Sequence, residues 1–142
     1  MTEDDFTLGG GCLCGAVRFT AAGPPLWVAH CHCASCRKAT AAALATYAGY
    51  QRERVTFTEG TPASYESSPG VIRRFCGRCG TPLSYEGARW PGELHLFLCT
   101  FDDPAALSPT AHVFAEEQLA WLHLDDGLPR YAKSTGEGPP LD

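Results

Sequence analysis

Clustered cysteines are the feature of this sequence that most restricts its fold. Seven of the eight cysteines fall into three groups, which read Cys12-Leu-Cys14, Cys31-His-Cys33-Ala-Ser-Cys36 and Cys76-Gly-Arg-Cys79. Because residues i and i+2 of a strand share a face, a C-x-C pair presents two sulfurs on one side, and a C-x-x-C pair closes a tight turn around an ion. Each group is therefore half or more of a metal site.

The N-terminal sequence MTEDDFTLGGG is acidic and lacks the basic and apolar regions of a secretory signal, so we expect a cytoplasmic protein. In a reducing compartment, clustered cysteines bind metal more often than they form disulfides. No apolar run approaches the roughly 18 residues that a membrane-spanning helix needs, and we expect no membrane association. Lys and Arg (11) are outnumbered by Asp and Glu (16), and the net charge of -5 argues against nucleic acid as a partner.

Short β-branched or aromatic runs separated by glycine and proline predict a mainly β fold. Strands are predicted in AVRFTAA, LWVAHCHC, RVTFTEG, ASYES, VIRRFC, TPLSYEG and ELHLFLCTF. The run AAALATYAGY fits a helix or a buried strand, and we favour the strand. Helical turns are predicted from Cys33 to Thr40 and in DDPAALSP, where the pair Asp102-Asp103 caps the turn. The length of 142 residues predicts one domain over residues 5–134, with a flexible tail over 135–142.

Four of the clustered cysteines are enough for one closed zinc site. A structural zinc takes four ligands in a tetrahedron, and one set of residues supplies them: Cys12, Cys14, Cys76 and Cys79. Gly80 follows the last of these cysteines, and glycine allows the sharp backbone turn of a zinc knuckle. Such a site would join the N-terminal region to the middle of the chain.

Cys31, Cys33 and Cys36 then form a second site that is one ligand short of a tetrahedron. Strand alternation points His30 and His32 away from a metal that is held by the neighbouring cysteines. Either histidine could close the site only by breaking this alternation. More distant candidates for a fourth ligand are His95, His112 and His123. Three protein ligands with an open position are the arrangement of a catalytic zinc.

Zinc is the metal that we favour at both sites. Thiolate donors argue against hard ions such as magnesium, although iron or an iron-sulfur cluster also suits tetrahedral sulfur. A thioredoxin-like role for Cys76 and Cys79 is disfavoured because no βαβ pattern surrounds them. Cys99, within HLFLCTF, is interpreted as a small buried core residue.

Five motifs, in this order, resemble the glutathione-dependent formaldehyde-activating enzyme and centromere protein V family. They read GGCLCGAVRF, HCHCASCRK, RRFCGRCGTPLSY, FDDPAAL and HVFAEEQLAWLHLDDGLPRY, and they span nearly the whole chain. The resemblance implies an Mss4-like zinc-bound fold of several small antiparallel sheets with one or two short helices. It assigns a structural zinc to Cys12, Cys14, Cys76 and Cys79, and a catalytic-type zinc to Cys31, Cys33 and Cys36.

For the founding enzymes, the resemblance implies formation of S-hydroxymethylglutathione from formaldehyde and glutathione, which is a carbon-sulfur lyase reaction in reverse. The expected cofactors are two zinc ions, and Arg37, Lys38 or Arg73 could hold the carboxylates of the tripeptide. A thiol bound at the open zinc position would ionise more readily, and His32 is the nearby candidate for a general base. The alternative is a non-catalytic, zinc-stabilised binding module with a small-molecule or protein partner, a role that centromere protein V illustrates.

Overall fold

A computed structural model describes residues 6–135, 137, 140 and 141 of the chain. The described elements, in chain order, are β1 (Thr7–Gly11), β2 (Arg18–Ala22), β3 (Trp27–Cys31), α1 (Ala34–Thr40), β4 (Ala45–Gln51), β5 (Val55–Glu59), β6 (Ala63–Ser68), β7 (Val71–Phe75), β8 (Pro82–Gly87), β9 (Glu93–Phe97), β10 (His112–Val113), β11 (Arg130–Tyr131) and β12 (Pro140–Leu141). Short 3-10 turns lie at Arg52–Arg54, Leu98–Thr100, Pro104–Ala106 and Ala115–Glu117. The predicted mainly β class is therefore confirmed.

The chain folds into two compact units, each made of separate stretches of sequence. The first unit contains the residues up to Leu26 together with Ala48–Leu107. The second unit contains Trp27–Tyr47 together with the chain from Ser108 onward. All four cysteines of the expected structural site belong to the first unit, and all three cysteines of the expected catalytic-type site belong to the second.

Two antiparallel sheets build the first unit. One has the order β1-β2-β5, and in the other β6, β7, β8 and β9 are neighbours in sequence order. Phe19 on β2 is buried and packs edge-on against Phe101, with ring centroids 5.3 Å apart. Gly10 lies opposite Phe19 in the register, and a Cβ at this glycine would collide with the phenyl ring and with the Thr100 carbonyl. The glycines of β1 thus allow a close approach of the backbone to the core.

The second unit contains the helix and a sheet with parallel pairings. β10 pairs in parallel with both β3 and β11, whereas β11 and β12 are antiparallel. The expected antiparallel pairing is therefore found in the first unit and between β11 and β12, while β10 adds parallel pairings that the sequence did not predict. Parallel pairing becomes possible here because a long connection, rather than a hairpin, joins β3 to β10. α1 begins after Cys33, whose sulfur accepts the Cys36 N–H, and it is capped at its C-terminal end by Ala41, which has a left-handed φ of 53°.

Most of the predicted elements are present, with shifted ends. The run AAALATYAGY is a strand from Ala45 onward, as favoured, and this strand extends to Gln51, while the preceding residues of the run form a turn. The predicted turn in DDPAALSP is 3-10, and Asp103 caps it by accepting the Ala105 N–H. Asp102 does not cap the turn but forms an ion pair with Arg18.

The prediction that Cys99 is a buried core residue is wrong, because its side chain is exposed. β9 ends at Phe97, and the following 3-10 turn buries Leu98 while directing the next residue outward. The predicted tail over residues 135–142 falls partly outside the described residues, and both its flexibility and the single-domain boundary stay predictions. No described helix is long and apolar enough to cross a bilayer.

Candidate metal centres and active site

The four cysteines expected at the structural site lie together in the first unit. The sulfurs of Cys12, Cys14, Cys76 and Cys79 all lie within 4.8 Å of one another. Cys14 Sγ is 3.6 Å from Cys12 Sγ and 3.8 Å from Cys76 Sγ. Zinc-sulfur bonds of about 2.3 Å in a tetrahedron separate the sulfurs by about 3.8 Å. The observed spacing therefore fits a zinc ion.

Hydrogen-bond donors surround these sulfurs. The Val17 N–H donates to Cys12 Sγ over 3.2 Å, and the Arg78 N–H donates to Cys76 Sγ over 3.3 Å. A hydrogen bond with the Thr81 side chain is the main cause that lowers the pKa of Cys79 to about 5. Gly80 has a φ of 83°, which confirms the sharp turn expected after the last cysteine. Donors aimed at sulfur stabilise thiolates, the form that binds zinc.

The other cysteine group lies at the junction of β3 and α1 in the second unit. Its sulfurs, from Cys31, Cys33 and Cys36, also lie within 4.8 Å of one another, and Cys31 Sγ is 3.6 Å from Cys36 Sγ. Cys31 and Cys36 are buried, whereas Cys33 is half-buried. Strand end, helix cap and first helical turn thus bring three donors to one point that is accessible beside Cys33.

The charge of this trio also fits a cation. Hydrogen bonds with Cys31 and then Cys36 lower the pKa of Cys33 to about 2. The hydrogen bond with Cys33 is in turn the main cause that raises the pKa of Cys31, followed by its hydrogen bond with Cys36 and by burial. Without a metal, the three thiols thus favour a single thiolate on Cys33. A cation held among them would favour further ionisation, as expected for thiols that coordinate a metal.

Tyr47 contacts the trio, and the sequence did not indicate this contact. Its hydroxyl donates to Cys36 Sγ over 3.3 Å, and both side chains are buried. An aromatic residue among the small residues of ATYAGY was the available signal, and it is equally typical of an ordinary core strand. The contact depends on how β4 lies against α1, which local sequence does not specify.

The two histidines beside the trio point elsewhere, as strand alternation predicted. His30 Nδ1 lies 2.8 Å from Thr46 Oγ1, and His32 Nε2 lies 2.8 Å from His112 Nδ1. His112 Nε2 in turn lies 2.8 Å from Asp126 Oδ2. Among the described residues, the group of donors around the trio contains only the three cysteines.

The remaining histidines are placed in other surroundings. His95 is buried in the first unit, where its Nε2 lies 2.9 Å from Glu93 Oε1. His123 is exposed and lines a cavity in the second unit. His32, the candidate base, is fully buried, and burial is the main cause that lowers its pKa to about 4.

The three basic residues expected at the substrate lie in different surroundings. Arg37 donates through Nη1 to the carbonyls of His32, at 2.7 Å, and Glu117. Lys38, the next residue of α1, is exposed and lines a cavity of about 490 Å³ together with Arg37 and Trp121. Arg73 belongs to the first unit, where its guanidinium lies 5.1 Å from the centre of the Tyr85 ring. The helix thus brings Arg37 and Lys38 into the same unit as the trio.

Known proteins are similar to this chain in sequence and in fold. The family model described as glutathione-dependent formaldehyde-activating enzyme matches residues 7–117. A Halomonas elongata protein, provisionally named a glutathione-dependent formaldehyde-activating enzyme, is 30% identical over 128 residues, which are 83% of this chain and 81% of that protein. A crystal structure of a Rhodobacter sphaeroides protein matches with a TM-score of 0.61 at 20% identity, over 75% of this chain and 100% of that one, and shows the likeness of fold. The chain therefore belongs to the glutathione-dependent formaldehyde-activating enzyme family.

Proposed function

We propose that the protein is a zinc-dependent enzyme that forms or cleaves a thiol-aldehyde adduct of the S-hydroxymethylglutathione type. The observation that carries this proposal is the convergence of Cys31, Cys33 and Cys36, without a fourth donor in their group among the described residues. A tetrahedral ion bound there keeps one position open. The family name supports glutathione as the thiol and formaldehyde as the aldehyde.

The reaction that we propose has a simple balance of bonds and protons. The thiol sulfur bonds to the carbonyl carbon, the carbonyl π bond breaks, and the thiol proton ends on the oxygen. When bound at the trio, zinc would supply a position that accepts the substrate thiol and favours its ionised form. Three thiolates outweigh the charge of a dication, so this site suits a thiol better than the generation of hydroxide from water.

The surrounding residues would hold the cysteines in place. Tyr47 orients Cys36 through its hydroxyl, and Arg37 joins the His32 carbonyl, between two of the cysteines, to the Glu117 carbonyl. Because the Arg37 guanidinium already has these partners, the exposed Lys38 is the better candidate to hold a substrate carboxylate. Trp121, which lines the same cavity, would cover the apolar part of the thiol substrate. Arg73 stays a candidate from the sequence alone.

We further propose two zinc ions per chain, at the four-cysteine and three-cysteine groups, and a cytoplasmic location. The described cysteines are all free thiols, which fits a reducing compartment. Elemental analysis of the purified protein should find close to two zinc ions per chain, and one or none would contradict the two-site assignment.

The decisive experiment measures adduct formation on the zinc-loaded protein. Exchange NMR with labelled formaldehyde and glutathione should show a rate above the spontaneous one, and this gain should be lost in Cys36→Ser. Cys99→Ser is the matched control, because its cysteine is exposed and lies outside both groups, and it should keep the full gain. Lys38→Met should raise KM for glutathione more than it lowers kcat.

An unaccelerated reaction in the wild-type protein with both zinc ions bound would overturn the enzyme proposal. If glutathione also produced no heat of binding at millimolar concentration, the substrate class would be wrong as well. Binding without turnover would instead support the alternative of a non-catalytic, zinc-stabilised binding module.

A further inference from the structure

A third cluster of donor side chains lies in the second unit, outside both cysteine groups. A ring nitrogen of His30, a ring nitrogen of His112 and a carboxylate oxygen of Asp126 lie within 4.8 Å of one another. We propose that these residues form a further metal site, which takes a divalent transition-metal ion such as zinc. Two imidazoles and one carboxylate are a donor set used by zinc and by iron in proteins.

Neighbouring side chains hold the outer nitrogen of each imidazole. His30 Nδ1 lies 2.8 Å from Thr46 Oγ1, and His112 Nδ1 lies 2.8 Å from His32 Nε2. The Nε2 atoms of His30 and His112 are therefore the ones left for an ion. Such outer hydrogen bonds orient metal-binding imidazoles and fix which ring nitrogen carries the proton.

The carboxylate is oriented in the same way. Asp126 Oδ1 accepts the Leu128 N–H over 3.1 Å, while Oδ2 lies 2.8 Å from His112 Nε2. One oxygen is thus fixed by the backbone, and the other faces the imidazole. The ring centroids of His30 and His112 are 4.9 Å apart, so both rings lie beside the same carboxylate.

Without an ion, the same atoms form a hydrogen-bonded chain. His112 Nε2–H donates to Asp126 Oδ2, and His32 Nε2–H donates to His112 Nδ1. This assignment leaves His32 Nδ1 without a proton, which agrees with its being buried and lacking a hydrogen-bond partner within the described part of the chain. An ion would take the place of the proton between His112 and Asp126.

Metal binding at His112 therefore changes the protonation pattern of His32. With an ion on His112 Nε2, Nδ1–H donates to His32 Nε2, and the His32 proton moves to Nδ1. That N–H is then buried without a partner among the described residues, which costs part of the binding free energy. The switch from Nε2–H to Nδ1–H in His32 gives the proposal a spectroscopic signature.

The site is open to solvent on the side of Asp126. His112 is buried, but the side chain of Asp126 is 36% exposed and lines a cavity of about 620 Å³. Arg130 lines the same cavity, and its cation opposes metal entry, although its Nη2 donates to Gln118 Oε1. Water or a ligand in this cavity would complete the coordination of the ion.

The test titrates zinc into protein whose cysteine sites already hold zinc, as verified by elemental analysis. Calorimetry of the wild-type protein should show one further equivalent bound. Asp126→Asn keeps the size and an acceptor for the His112 N–H but removes the charge, and it should weaken the further equivalent by about tenfold or more. Asp125→Asn is the matched control, because it removes a neighbouring charge in the same cavity but not a donor, and it should bind as the wild type does.

Long-range proton-nitrogen NMR of the histidine rings supplies a second readout. On addition of the further equivalent, Nε2 of His30 and of His112 should shift together, and His32 should change tautomer. If the Asp126 variant folds poorly, His30→Gln takes its place in the test. This variant should abolish the His112 shift and the tautomer change of His32. The absence of a further equivalent in the wild type would overturn the proposal, as would equal weakening in the two aspartate variants. Neither readout involves thiol or aldehyde chemistry, so this result is independent of the proposed function.

Discussion

Tyr47 on β4 donates its hydroxyl hydrogen to Cys36 Sγ on α1 over 3.3 Å. A donor to a ligand atom orients it and stabilises its thiolate. Tyr47→Phe should weaken zinc binding at the three-cysteine group by about tenfold or more, because outer-partner losses cost about 10- to 100-fold in metal affinity. Chelator competition on the purified variant measures this change, and zinc at the four-cysteine group should be unaffected.

Tyr50→Phe is the control for the loss of a buried hydroxyl. Tyr50 is fully buried, and its hydroxyl has no hydrogen-bond partner among the residues that the structure describes. Its removal should leave the zinc affinity of both groups unchanged. Equal effects of the two substitutions would show that packing, rather than the sulfur contact, explains the Tyr47 result.

The two cysteine groups should respond differently to the loss of one ligand. Cys36→Ser is expected to leave a folded protein that is short of one zinc, since β3 and α1 are near neighbours in sequence. Cys79→Ser should unfold the protein, because the four-cysteine group connects segments that are far apart in the chain. Circular dichroism with elemental analysis distinguishes these outcomes, and equal unfolding by both variants would indicate two structural sites.

The Arg18–Asp102 ion pair predicts a specific dependence of stability on pH. Two hydrogen bonds, of 2.9 and 2.5 Å, join the guanidinium and the carboxylate, and they lower the pKa of Asp102 from its ordinary value of 3.8. Because the folded pKa lies below the unfolded one, this stabilisation is fully present above the unfolded value. It is lost as the pH falls through the folded pKa.

Asp102→Asn should therefore be less stable than the wild type near neutral pH, and the difference should shrink to nothing in strong acid. Urea unfolding between about pH 2 and 7 measures this difference in the free energy of unfolding. Arg18→Met should give the same profile, and the double variant should add little, since the two residues act as one pair. A difference that grows as the pH falls would contradict this assignment.

Arg37 and Lys38 are neighbours on α1, but we expect them to have separate roles. Arg37→Met removes hydrogen bonds from a charged group to the His32 and Glu117 carbonyls, and it should cost about 2 to 3 kcal/mol in the free energy of unfolding. Lys38→Met removes an exposed charge and should change stability by less than about 0.5 kcal/mol. Denaturant unfolding of the zinc-loaded variants compares them directly, and a Lys38 variant as unstable as the Arg37 variant would contradict this division.

The local pattern of the sequence predicted the parts of the fold that depend on local chemistry. Cysteine spacing identified both groups, alternation turned His30 and His32 away from the trio, and the start of α1 after Cys33 follows from the composition of ASCRK. These features depend on neighbouring residues, whose geometry a strand or a helical turn fixes directly.

Features that depend on distant parts of the chain were not predictable in this way. The Tyr47 contact with Cys36, the Asp102 pair with Arg18 and the His32–His112–Asp126 chain each require knowledge of how the strands are placed. Cys99 was assigned to the core because it is a small residue within the apolar run HLFLCTF, but a turn begins in this run after Phe97. Local periodicity does not indicate where a strand ends and a 3-10 turn such as Leu98–Thr100 begins.

The four-cysteine group has a consequence for the order of events during protein synthesis. Cys14 and Cys76 are separated by 62 residues, and the group is complete only when Cys79 has left the ribosome. Closing a loop of this length costs roughly 4 kcal/mol of chain entropy, which ion binding must offset. If zinc occupies this group as proposed, a zinc-starved cell should degrade the nascent chain rather than accumulate a folded protein, and metal supply would then set the amount of protein.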